Sequence, residues 1–95
     1  MNNIQDYDLV ALTEDITAIH KTTHQTILLR CGQIGTVVMS FDQKAFLIDF
    51  SDCEGKTFAM ETVDHSKLLR LIIEDGIIKL FSFDPNQEVI VRWIP

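Results

Sequence analysis

The sequence predicts a mainly β chain, folded as a small antiparallel barrel or sandwich of about five strands with a further β-hairpin toward the C-terminus. Three observations carry the prediction. Short runs rich in β-branched and aromatic residues recur at close spacing, Gly32, Gly55 and Asp84-Pro85 punctuate them as turns, and Phe46, Ile48 and Phe50 alternate with period two. Strands joined by such short turns argue against a parallel sheet, which needs long crossover connections.

The first strand is expected from Tyr7 to Leu12, where Tyr, Leu and Val alternate loosely with Asp8 and Ala11 before Thr13-Glu14-Asp15 closes the run. Residues 16–31 carry Ile16, Ile19, Ile27, Leu28 and Leu29, but Thr17, Thr22, Thr23 and Thr26 intervene, and β-branched threonines lose χ1 freedom in a helix. A long folded-over loop is expected there. Gly32-Gln33 then reads as a turn and Ile34 to Phe41 as a strand buried on much of both faces. Gly35 inside that strand marks a bend or the close approach of another backbone, which is how a small barrel acquires curvature.

Asp42-Gln43-Lys44 reads as a hairpin loop, followed by a strand whose Phe46, Ile48 and Phe50 face the core. Residues 51–56 form the next loop, with Gly55 taking a positive φ. Thr57 to Val63 is expected as a strand with Phe58 and Met60 inward and Thr57 and Glu61 outward. Over residues 65–75, Leu68, Leu69, Ile72 and Ile73 fit a helical face as well as a buried strand; Asp64 suits a helix cap and Gly76 a helix end, and periodicity does not separate the two. Ile77 to Phe83 and Glu88 to Trp93 are expected as strands, with Asp84-Pro85-Asn86-Gln87 between them as a type I turn.

Ninety-five residues with 46% apolar and 23% charged content describe one globular domain spanning 1–95. The net charge of −6 falls evenly as −2 over residues 1–31, 32–70 and 71–95, so no segment offers the Lys and Arg cluster that a phosphate backbone or an anionic membrane requires. Cys31 and Cys53 have neither C-x-x-C spacing nor further partners for zinc, and read as reduced, partly buried thiols. With no signal-peptide pattern and no apolar run long enough to span a bilayer, a cytoplasmic protein is expected.

Four constellations carry the letters of chemistry. Asp64-His65-Ser66 has the residue types of a hydrolase triad, yet adjacent extended residues face opposite ways, so capping is the expected role. His20 and His24 would share a helix face, but the threonines between them weaken the helix and no third metal ligand stands near. Asp49, Asp52 and Glu54 beside Gly55 lack the ligand spacing and closing Glu of a calcium loop. Gly32 and Gly35 form a G-x-x-G without flanking basic residues to hold a phosphate backbone. The chain is therefore expected not to be an enzyme and to bind no cofactor or metal.

Leu9-Val10-Ala11-Leu12-Thr13-Glu14-Asp15, Gly32-Gln33-Ile34-Gly35-Thr36-Val37-Val38, Ile48-Asp49-Phe50 with a glycine-containing turn, and Leu68-Leu69-Arg70-Leu71 together resemble a family of small bacterial proteins, domain of unknown function 4926. The resemblance covers about residues 7–71. It implies an SH3-like barrel of five strands, favours strand over helix after His65, and implies work with a protein encoded nearby; it brings no catalytic residues. The segment before Gly32 is longer than the family's usual connection, and residues 72–95 extend past its usual end. That C-terminal extension holds Phe81, Phe83 and Trp93, the candidate interaction surface, whose strand edges suit a protein partner or self-association. A non-catalytic protein-interaction module is thus expected, with a KOW-like RNA- or ribosome-binding domain, reading through Gly32 to Val38, as the alternative.

Overall fold

A computed structural model describes residues 4–74, 77–81 and 88–92, with side chains described over residues 4–72. Among the described residues the strands are β1 (Leu9–Leu12), β2 (Ile16–Ile19), β3 (Thr26–Leu29), β4 (Ile34–Phe41), β5 (Ala45–Ser51), β6 (Thr57–Asp64), β7 (Leu68–Glu74), β8 (Ile77–Phe81) and β9 (Glu88–Arg92), with a 3₁₀ turn at His65–Lys67. Seven of them form one antiparallel sheet in the order β6-β5-β4-β1-β7-β8-β9, and β2 pairs with β3 in a separate hairpin. The expected mainly β architecture is present: five strands, β6 to β7 in sheet order, with the C-terminal pair β8 and β9 added beyond them. Among the described residues no ladder joins β6 to β7, so the sheet curls without closing.

The curl follows from which residues face inward. Val10 and Leu12 of β1, Val37 of β4, Phe46, Ile48 and Phe50 of β5, Ala59 and Val63 of β6 and Leu68 of β7 line one concave core. Phe46, Ile48 and Phe50 are fully buried, as the alternation predicted. The β2–β3 hairpin lies over this face, adding buried Ala18 and Leu29 and the partly buried Ile16 and Ile27. Residues 16–31 are thus a hairpin rather than a loop. Ile16 and Ala18 opposite Leu29 and Ile27 give a short period-two pattern, and once a core exists for them to cover, β-branched threonines suit the pleated ladder better than a loop.

Gly35 sits where β4 crosses close to β5. A Cβ at this position would lie inside contact distance of Ile48 Cγ2, 3.0 Å from Asp49 O and 3.1 Å from Phe50 Cδ1. The expected close approach is therefore real, and it sets the curvature of the strand. Two bulges add to it: the β4–β5 ladder passes from Val37 opposite Ile48 to Met39 opposite Leu47, and the β5–β6 ladder from Phe50 opposite Ala59 to Ser51 opposite Thr57.

The second bulge corrects the expected facing of β6. The ladder skips Phe58, so Ala59 and Val63 point inward while Met60 is exposed. One inserted residue exchanges the faces of a strand, and composition alone does not reveal the insertion. Thr57 and Glu61, expected outward, are half-buried instead: Thr57 Oγ1 donates to the Asp49 carboxylate at 2.8 and 2.9 Å, and Glu61 Oε2 accepts from Ile19 N at 2.9 Å.

Tyr7, expected to open β1, instead lies in a turn with φ 71° and is exposed. Asp8 closes that turn, its Oδ2 accepting from Gln5 N at 2.9 Å and its own N–H donating to Gln5 O at 3.1 Å. Before it, Ile4 is buried in the core and its carbonyl accepts from Gln43 Nε2 at 2.9 Å, a long-range tie that no local pattern announces. Asp42 and Gln43, at φ 57° and 60°, are the central residues of the tight turn in the three-residue connection between β4 and β5, closed by Lys44 N to Phe41 O at 3.0 Å.

Residues 68–74 are strand, which decides the ambiguous stretch. Both edges of β1 are filled, by β4 and by β7, so Leu68 and Leu71 are buried by sheet pairing rather than on a helix face. β8 ends at Phe81 and β9 at Arg92; Phe83, the turn at 84–87 and Trp93 lie outside the described residues.

Candidate interaction surface

Each polar cluster singled out in the sequence is occupied by the fold itself. Asp64 precedes the 3₁₀ turn as its N-cap: its Oδ2 accepts from Ser66 N at 2.9 Å and from Ser66 Oγ at 2.5 Å. The Ser66 hydroxyl and then its N–H hold the Asp64 carboxyl below its ordinary value of 3.8, with His65 and Lys67 adding a weaker pull. A depressed folded-state pKa stabilises above the ordinary value and loses that contribution as pH falls through the lower one. Asp64→Asn is therefore expected to melt at a lower temperature than the native chain near neutral pH, and the gap between the two is expected to close as the pH is lowered well below 3.8. Thermal melts by circular dichroism across that range check it; a gap that persists in acid would show that Asp64 acts through something other than its charge.

His20 and His24 sit at the tip of the β2–β3 hairpin, not on a helix. His20 Nδ1 accepts from Thr22 N at 3.1 Å and Thr23 N at 3.2 Å, and its ring stacks on Phe58 with centroids 6.1 Å apart. That stacking, with Lys21 N donating to Phe58 O at 2.8 Å, fastens the hairpin tip to β6. The bulge that exposes Met60 is what turns Phe58 toward the hairpin. Asp52 Oδ1 accepts from Glu54 N at 2.9 Å and Lys56 N at 3.0 Å, and Gly55 takes φ 82°, so the acidic loop is a self-satisfied turn. Among the described residues, no group of three or more His, Cys, Asp or Glu side chains stands close enough to hold a metal ion. Cys31 and Cys53 are free, and both are exposed where partial burial was expected, because each falls in a connection rather than a strand; Cys31 Sγ donates to Thr13 O at 3.3 Å.

A groove of about 410 Å³ runs between β2 and β6 over Asp15, Ile16, Glu61 and Asp64. Its carboxylates are engaged as well: Asp15 Oδ1 accepts from Cys31 N at 2.7 Å and Oδ2 lies 3.6 Å from Arg30 Nε, while Glu61 holds Ile19 and Asp64 caps the 3₁₀ turn. The groove is a seam between hairpin and sheet. The remaining ion pairs are also internal to the fold. Lys67 Nζ lies 3.6 Å from Glu14, and Arg70 Nε lies 3.1 Å from Asp8 Oδ2, a half-buried pair whose N–H is not aimed at the carboxylate as a hydrogen bond.

The convex face of the sheet is different in kind. Leu9, Ile34, Met39, Phe41 and Met60 are each 37–49% exposed. The ladders set them on one face: Leu9 opposite Thr36, Thr36 opposite Asp49 and Asp49 opposite Met60 form one row, while Met39 opposite Leu47 and Phe41 opposite Ala45 lie further along. This surface was missed in the sequence because the period-two signal in Ile34 to Phe41 is broken by the bulge after Val37, so inward and outward apolar residues look alike. The residues expected to form the surface are placed only in part. Phe81 ends β8, opposite Arg70 of β7 and Glu88 of β9, and Phe83 and Trp93 fall outside the described residues.

The strand framework from β1 to the start of β7 coincides with a known domain. The family described as domain of unknown function DUF4926 matches residues 6–70, about two thirds of the chain. The chain belongs to this family. The DUF4926 domain thus comprises β1 to β6, the 3₁₀ turn and the first residues of β7, and the rest of β7, with β8 and β9, extends its sheet. Among curated proteins and among solved structures no significant match is found. No helix among the described residues is long and apolar enough to cross a membrane.

Proposed function

We propose that this DUF4926 protein is a non-catalytic interaction module, an SH3-like barrel of bacterial, cytoplasmic type that binds or regulates a protein encoded nearby through its convex face. The observation that carries this reading is the row of exposed apolar side chains Leu9, Ile34, Met39, Phe41 and Met60 on a face where the ladders hold the backbone rigid. Exposed apolar residues gathered on one face mark an interaction site more often than chance exposure does. The polar clusters, by contrast, serve as caps, turns and latches. A net charge of −6 favours a partner whose apolar surface is rimmed by basic residues, since long-range attraction raises the encounter rate. The RNA-binding alternative gains no support, because Arg30, Lys67 and Arg70 each lie beside a carboxylate instead of forming a phosphate-facing cluster.

The test is co-expression with the products of adjoining genes and comparison with the double variant Met39→Asp/Phe41→Asp. Both side chains are exposed, so the variant is expected to keep the native melting profile while co-purification falls at least about tenfold, as expected for loss of two central apolar contacts. A folded variant that retains its partner undiminished would rule out the convex face.

A further inference from the structure

The two edges of the seven-stranded sheet are not equivalent. At β6 the hairpin tip overlies the edge, through Lys21 N to Phe58 O and Ile19 N to the Glu61 carboxylate. At the other end, β9 pairs with β8 on one side and, among the described residues, with no strand on the other. An open edge offers a row of backbone donors and acceptors to another strand.

The sequence of β9 says which strand fits. Glu88-Val89-Ile90-Val91-Arg92 carries opposite charges at its two ends and aliphatic residues between them. We propose that β9 pairs antiparallel with β9 of a second copy about a twofold axis at Ile90. In that register Glu88 stands opposite Arg92 of the partner subunit, Val89 opposite Val91 of the partner subunit, and Ile90 opposite its own copy. Registers that preserve the faces of both sheets differ by two residues, because the strand period is two. Among these, the centred register alone pairs all five residues and sets each end charge against its opposite. Opposite charges directly across an antiparallel pair stabilise it, and like charges destabilise it.

The sheet behind β9 agrees with this seam. Val89 stands opposite Leu80, Leu80 opposite Leu71 and Leu71 opposite Leu9, while Val91 stands opposite Ile78 and Ile78 opposite Ile73. These register positions place aliphatic residues in one row from β1 to β9 and a second from β7 to β9, and the twofold pairing carries both rows across the seam. The segment that supplies β8 and β9 lies beyond the matched family region, so self-pairing is a property of this chain's extension and not of the family domain. The inference deepens the interaction-module reading by naming a second copy as one partner, at a surface separate from Met39 and Phe41.

Sedimentation equilibrium on the full chain is expected to give twice the 10.9 kDa chain mass. Glu88→Arg and Arg92→Glu are each expected to weaken the dimer by about tenfold or more, since each replaces two attractive pairs with two repulsive ones. Mixed together, the two variants are expected to form a heterodimer tighter than either homodimer, because every end pair is then opposite in charge. On the native chain, independently of any variant, amide exchange at residues 88–92 is expected to slow as concentration rises. A chain that stays monomeric to about 1 mM, exchange that ignores concentration, or variants that associate no better mixed than alone would each overturn the proposal. Such a result leaves convex-face binding standing, since the Met39→Asp/Phe41→Asp comparison reads that surface separately.

Discussion

Phe46→Ala is expected to destabilise the protein by about 3–5 kcal/mol and to lower its melting temperature by roughly 15–30 °C. Phe46 is completely buried near the start of β5, between Ser40 of β4 and Val63 of β6, with the β2–β3 hairpin closing the core above the sheet. Removing the ring withdraws the transfer free energy of a large side chain and leaves a cavity that a sheet pinned on both sides cannot collapse to fill. Urea unfolding followed by circular dichroism measures the loss. Phe41→Ala is the control. Phe41 is only five residues away but on the convex face, and its truncation is expected to cost under about 1 kcal/mol. Equal costs at the two positions would mean that the core has been assigned to the wrong side of the sheet.

Gly35→Ala is expected to cost about 1–3 kcal/mol, and Gly35→Val more. The cause is lack of space, not backbone conformation. The added methyl meets Ile48 Cγ2, Asp49 O and Phe50 Cδ1, and the carbonyl cannot retreat without opening the β4–β5 ladder at Thr36 and Asp49. Gly32 and Gly55 have open space around the same atom but hold φ at 91° and 82°, so alanine there strains the backbone instead. A double-mutant cycle separates the mechanisms. Combined with Ile48→Ala, Gly35→Ala is expected to cost less than the sum of the two single changes, because the second substitution vacates the space the first one needs. Gly32→Ala paired with Ile48→Ala is expected to be additive. Additivity at Gly35 would overturn the steric account.

The turns and most strand positions were legible in the sequence because they depend on local chemistry. Gly55 takes the positive φ its loop demands, Asp64 caps the turn that follows it, and Phe46, Ile48 and Phe50 bury the face that their alternation marks. Three departures have identifiable physical causes. Residues 16–31 form a hairpin because a concave core waits beneath Ala18 and Leu29; Met60 points outward because a bulge at Phe58 exchanges faces; and Tyr7 leaves β1 because Asp8 closes a turn. In the first two cases pairing with the rest of the fold overrode what the local pattern favoured, and at Tyr7 a three-residue side-chain turn competed with the strand.

The same division holds for the candidate surfaces. Composition offered no basic cluster for a nucleic-acid face, and spacing gave no reason to join the scattered polar residues into a catalytic group, since both arguments depend only on which residues are present and how far apart they stand. The five-residue charge pattern of β9 is likewise written in the sequence. Its meaning is not: the proposed pairing of Glu88 with Arg92 depends on β8 occupying one side of β9 while, among the described residues, no strand occupies the other. The convex apolar face depends wholly on tertiary structure. Leu9, Ile34, Met39, Phe41 and Met60 are distant in sequence and no more hydrophobic than their buried neighbours, and only the curl of the sheet, with the hairpin covering its other side, decides which of them water can reach.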